Sequence, residues 1–109
     1  MGMIWRRKYK EEEMMNNPYY IIRCKDAGVF FGHIKNRVGE EAVLTDVRRI
    51  WYWDGAASLS QLAMEGVSKP KTCKFSVTVP EITVLGVIEL IPCTAKAVES
   101  IMGVATWRV

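Results

Sequence analysis

Residues 48–66, RRIWYWDGAASLSQLAMEG, leave the chain few ways to fold. Ile50, Trp51, Tyr52 and Trp53 are β-branched or aromatic and suit a pleated, half-buried strand. Asp54 and Gly55 break that strand. Ser58, Leu59, Ser60 and Gln61 then spell a capping box, in which the Ser58 hydroxyl accepts from the Gln61 amide and the Gln61 side chain reaches back. Gly66 is placed to end the short helix, and Leu59, Leu62 and Ala63 turn one face of it inward. The same stretch also carries chemistry. Flat rings beside the forked cations Arg48 and Arg49 suit a nucleotide, with stacking for the base and charge for the phosphates. The plainer alternative is that the rings are core and the arginines a solvated edge.

Around this centre the pattern is β. Residues 19–24 form a short apolar run, 25–28 a turn, and 29–35 a second strand in which Gly32 marks a bulge or a close approach. Residues 36–39 turn the chain again, and 42–52 make a third and longest strand. Short turns between the three predict an antiparallel meander. Two further strands are expected near 74–79 and 82–91, with Pro80 confining its surroundings to a turn or an edge. Thr94 is placed to cap a last helix over 95–102, ended by Gly103, and Trp107 is expected to dock. Residues 1–17 differ: a basic run, Arg6 to Lys10, meets Glu11, Glu12 and Glu13 before Asn16, Asn17 and Pro18, which predicts a frayed or marginally helical tail. The fold class read from this is α+β: one domain over residues 18–109, with about five antiparallel strands and two short helices.

At 109 residues the chain supports a single modest core. Net charge is only +3 with acids dispersed among bases, which argues against a protein built to coat nucleic acid. No apolar run approaches the ~20 residues of a membrane helix, and no secretion signal opens the chain. Met1-Gly2 fails as a myristoylation motif because position 6 is Arg. Cytoplasm is the expected compartment. Cys24, Cys73 and Cys93 are widely spaced, form no CxxC pair, and read as reduced, mostly buried thiols. With one histidine, neither a zinc set nor any other metal or cofactor is expected. There is no nucleophile elbow and no phosphate-cradling Gly-rich loop, so an enzyme is not expected. His33, in an apolar strand, reads as a hydrogen-bonded structural residue or as a ligand contact. The small residues at 55–58 could expose helix amides to an anion, or serve simply as a β-to-α connection.

Alternation divides the third strand. Positions 43, 47, 51 and 53 share one face with Arg49, and 44, 50 and 52 share the other with Arg48. Both faces are apolar toward the end of the strand. Two short helices cover one face, and a second copy of the chain is the simplest cover for the other, which predicts a homo-oligomer.

Residues 48–67 also resemble the signature of a family of small phage proteins, the Thoeris anti-defence one family. The turn at Asp26, Ala27, Gly28, Val29 and Phe30 is similar, although Asp26 stands where a small hydroxyl residue is expected. Cys73-Lys74-Phe75, the run 88–94, Ala97 and Trp107 extend the likeness over roughly residues 19–108. The resemblance implies a sponge that binds cyclic ADP-ribose isomers made by bacterial TIR-domain enzymes and holds them without cleavage, in the host cytoplasm. It further implies self-association as dimer or hexamer, pockets between subunits, and in some relatives cyclic di- or trinucleotides at separate sites. The candidate ligand-binding residues centred on the motif and its neighbouring strands are Arg23, Gly28, Phe30, His33, Arg48, Arg49, Trp51, Trp53, Ala57 and Ser58. Opposite parity lets only one of Arg48 and Arg49 enter a given pocket. Two other classes stay open: a small phage structural or assembly protein with an aromatic subunit contact, and a single-stranded nucleic-acid binder stacking on Trp51 and Trp53.

Overall fold

The meander forms as its turn spacing predicts: β1 (Tyr20–Cys24), β2 (Val29–Val38) and β3 (Glu41–Tyr52) pair in order, each antiparallel to the next. The computed structural model describes residues 17–109, so the expectation for the tail lies outside them apart from Asn17. After β3 come α1 (Leu59–Glu65), a 3-10 turn (Pro70–Thr72), β4 (Lys74–Phe75), β5 (Val79–Val84), β6 (Val87–Pro92) and α2 (Ala95–Met102). Over the described residues the fold is α+β, a six-stranded antiparallel sheet with two helices. Among the described residues no helix is long and apolar enough to cross a membrane.

The sheet is not flat. β5 pairs with β3 at one edge and β6 pairs with β1 at the other, yet only Leu85 and Gly86 separate them. Three peptide steps span at most about 11 Å, so the two edges must meet. β1 and β3 run in the same direction, and so do β5 and β6. Residues 79–92 therefore act as one strand that bends at Gly86 (φ 72°) and passes from one edge to the other. Backbone bonds fix the bend: the Lys25 amide donates to the Gly86 carbonyl at 2.8 Å, and the Val87 amide donates to Glu40 at 2.9 Å. The sheet closes into a small barrel.

Closure explains why both faces of β3 are apolar. Ile22, Phe30, Leu44, Val47, Val84 and Val87 fill the barrel interior. On the outer face Ile21, Phe31, Ile50 and Phe75 pack against Leu62 and Ala63 of α1 and Ala97, Val98 and Ile101 of α2. The face that alternation assigned to a second copy is thus the inside of the barrel, and the pattern of β3 is satisfied within one chain. A flat sheet has two faces to cover; a rolled one covers the inner face itself.

Alternation along β3 also fails opposite Gly32. Phe31 pairs with Arg48 and His33 with Thr45, so Gly32 faces both Asp46 and Val47. This is a bulge, with Asp46 at φ 48°. A Cβ on Gly32 would lie 3.1 Å from the Thr45 carbonyl oxygen and 3.1 Å from Val47 Cα, a contact that backbone atoms must yield to accommodate, so glycine suits the close approach anticipated at this position. The extra residue puts Leu44 and Val47 on the same face, where strict alternation separates them. Opposite Asp46, Pro80 lies within β5, on the edge rather than in a turn, and there Val79 and Ile82 likewise both face the interior cluster.

The helices start and stop where their caps predict. Ser58 Oγ accepts from the Gln61 amide at 3.1 Å, and Gln61 Oε1 accepts from the Ala57 amide at 2.7 Å, one residue earlier than in a standard capping box. Thr94 Oγ1 accepts from the Ala97 amide at 3.1 Å. Gly66 ends α1 at φ 77°, and a Cβ there would lie 2.3 Å from the Ser100 side chain, so this glycine also lets α1 and α2 touch. Cys24, Cys73 and Cys93 are all buried free thiols.

Two outcomes are expected. Gly32→Val forces β2 away from the bulge and lowers the unfolding free energy by about 1–3 kcal/mol, read from the denaturant midpoint. Burial pushes the Cys93 thiol up from the ordinary 9.0 to about 12. A thiol raised in this way stabilises the fold fully below pH 9.0, and that contribution is lost as pH climbs from 9.0 toward about 12. Cys93 should therefore resist alkylation near neutral pH until the chain unfolds, as followed by mass spectrometry; modification of the native protein would contradict its burial.

Candidate functional site

The bulge decides what the two arginines do. Beyond it, odd-numbered positions of β3 face the barrel axis and even-numbered ones face the helices, so Arg49 emerges at the barrel mouth and Arg48 turns into the core. At the mouth lies a cleft of about 680 Å³, within the range of small-molecule sites. Its walls are Lys25, Asp26 and Ala27 of the first turn, Glu40 of the second, Arg49, and the stretch from Ile82 to Gly86. Phe30 is its buried floor.

Arg49 is half-buried and held on three sides. Its amide donates to Ser76 Oγ at 2.7 Å, its Nη1 donates to the Ala27 carbonyl at 2.8 Å, and its guanidinium lies 4.5 Å from the Phe30 ring centroid. Gly28 turns the chain there at φ 107°, a backbone conformation that side chains rarely adopt, while a Cβ would meet Nη1 only at an ordinary 3.9 Å. A guanidinium oriented in this way keeps free donors and an open face, suited to a phosphate and to a flat ring. Lys25 adds a second cation, while Asp26 and Glu40 offer acceptors on the rim.

Arg48 is 3 % exposed. Its Nε donates to the Ser76 carbonyl at 2.9 Å, and its Nη1 donates to the Ile101 carbonyl at 2.8 Å. The second acceptor lies in the last turn of α2, where helix carbonyls lack intrahelical partners and the dipole favours a cation. The guanidinium also sits 5.4 Å from the centroid of Phe75. No carboxylate among the described residues pairs with it, Nη2 has no hydrogen-bond partner, and burial lowers its pKa below the ordinary arginine value. Arg48 clips α2 and the β4 region to the barrel and does not meet the cleft.

Residues 17–101 match a family described as Domain of unknown function (DUF6948). The chain belongs to the DUF6948 family. No curated protein and no solved structure matches it. The DUF6948 match spans the barrel, both arginines and every wall of the cleft.

The remaining candidate residues disperse over this DUF6948 domain. Arg23 is exposed on β1 and pairs with Glu89 of β6 at 3.0 Å. His33 is buried, with Nδ1 donating to the Pro18 carbonyl at 3.2 Å and its ring 3.8 Å from Tyr19. Trp53 packs on the helical cluster, whereas Trp51 is 66 % exposed on the outside. At α1 the Ala57 amide and the Ser58 hydroxyl are engaged with Gln61, which leaves that turn a β-to-α connection. A smaller cleft of about 350 Å³ lies beside it, lined by Gln61, Glu65, Lys96 and Ser100. Of the ten candidates, Phe30 and Arg49 line the main cleft, and Gly28 sits in the turn beside Arg49. Lys25, Glu40 and the bend at Leu85-Gly86 were missed; a glycine between two apolar runs was the one signal for the bend. Among the described residues no three of His, Cys, Asp and Glu cluster to hold a metal ion.

The two arginines should separate cleanly on stability. Arg48→Ala removes a buried guanidinium and its bonds to the Ser76 and Ile101 carbonyls, and should cost about 2–4 kcal/mol. Arg49→Ala removes a half-exposed group and should cost under about 1 kcal/mol. Urea unfolding of both variants checks the pair.

Proposed function

We propose that this chain is a nucleotide-binding protein that sequesters a cyclic ADP-ribose-type signal at the barrel mouth without cleaving it, and so acts as a phage inhibitor of TIR-dependent Thoeris defence. The observation that carries the reading is the Arg49 guanidinium stacked 4.5 Å above Phe30 in a cleft of about 680 Å³. A pyrophosphate fits the free donors of Arg49 and the charge of Lys25, an adenine ring fits the open guanidinium face, and ribose hydroxyls suit Asp26 and Glu40. The likeness of residues 48–67 to the Thoeris anti-defence one signature supports the same ligand class. Holding the ligand without cleavage rests on that resemblance. The subunit pairing and the cyclic di- or trinucleotide sites that the resemblance implies belong to the same proposal.

Calorimetric titration with cyclic ADP-ribose isomers tests it. Arg49→Ala should weaken binding by tenfold or more, about 1.4 kcal/mol, while melting stays near that of the parent. Heat-denaturing the loaded protein should return intact ligand. A linear product would show an enzyme, and parental affinity in Arg49→Ala would remove the phosphate assignment.

A further inference from the structure

A second surface lies at the end of β3, past Arg49. Ile50 pairs with Phe75 and Tyr52 with Lys74, so β3 carries an extra residue at Trp51. Ile50 and Trp53 both pack on the helical cluster although they are three residues apart, and the two side chains between them turn outward together. Trp51 is 66 % exposed and Tyr52 49 %. Tyr52 shares its face with Lys74, its cross-strand partner, and the Lys74 ammonium lies 5.3 Å from the Trp107 centroid. Trp107, also 49 % exposed, is held there by its amide donating to the Phe75 carbonyl at 2.9 Å. The expected docking of Trp107 is thus achieved through its backbone, with much of its ring in solvent.

Charge around this ledge is one-sided. Residues 66–80 and 100–109 contain no aspartate or glutamate but contribute Lys69, Lys71, Lys74 and Arg108, all exposed. The one acid in residues 50–64 is Asp54, whose Oδ2 accepts from Thr72 Oγ1 at 2.8 Å. Three solvent-facing rings interleaved with cations complement a polyanion whose bases are free to stack. A duplex has its bases already stacked and cannot use the rings. We infer that the ledge of Trp51, Tyr52, Lys74 and Trp107 is a binding site for single-stranded nucleic acid, distinct from the Arg49 cleft. Rings accept any base, so recognition there is tolerant of sequence.

Fluorescence anisotropy of labelled oligothymidylate and oligouridylate with the full chain is the test. Binding should weaken as salt rises. Trp51→Ala and Trp107→Ala should each weaken it by about tenfold, Lys74→Glu should do likewise, and a duplex of equal length should compete poorly. Arg49→Ala should bind the oligonucleotide like the parent, which keeps this result separate from the fate of the nucleotide cleft. Circular dichroism of each variant establishes that it is folded, and Trp51→Phe should retain much of the binding. Absence of binding at low salt, or equal binding by all ledge variants, overturns the inference. So does light scattering that shows Trp51→Ala turning an oligomer into a monomer without affecting oligonucleotide binding, since the ledge would then be a contact between copies of the chain.

Discussion

One inserted residue in β3 sets the direction of everything after it. The bulge at Asp46, which the bare backbone of Gly32 makes possible, reverses which side chains face the barrel and which face the helices. Without it Arg48 would stand at the mouth and Arg49 would be driven into the core. With it, adjacent residues of the same type acquire unrelated work. Arg48 closes the free end of α2 from inside, and Arg49 is left at the surface on an aromatic floor.

The cleft depends equally on closure of the sheet. Its walls come from two turns of the meander and from the bend in residues 79–92, and these meet only because that long strand crosses from one sheet edge to the other. The backbone bonds from Lys25 to Gly86 and from Val87 to Glu40 hold three of the wall residues, Lys25, Glu40 and Gly86. The site is therefore anchored by main chain, while the groups offered to a ligand are side chains. That division suits a protein that holds a ligand: a fixed frame lowers the ordering cost of binding.

Local chemistry was legible in the sequence, and geometry built from distant pairing was not. Ser58, Gly66 and Thr94 announce helix ends because a cap is a contact among neighbours, and the meander follows from short turns. Gly32 could be read as a bulge or close approach, but not how many residues it would offset. Since faces alternate with a period of two, one unseen insertion exchanges all subsequent assignments. The same limit misread Trp51 and Trp53 as a pair sharing a face: a second insertion sends one outward and leaves the other on the core. Barrel closure was hidden for another reason. Residues 82–91 look like one apolar run whether they lie along one edge or bridge two, and only the pairing partners distinguish these.

The strand that bridges both edges also governs how the domain can assemble. Its partners, β1 and β3, are complete long before residues 79–92 leave the ribosome, so the early meander presents two bare rows of amides and carbonyls. Closure must bring together residues 32 to 72 apart in the chain, a slow search compared with forming the hairpins. During that interval the meander is a template for the edges of other chains. The exposed charged residues on those two strands, Arg23 on β1 and Glu41 and Asp46 on β3, stand where they would discourage such pairing until the last strand arrives.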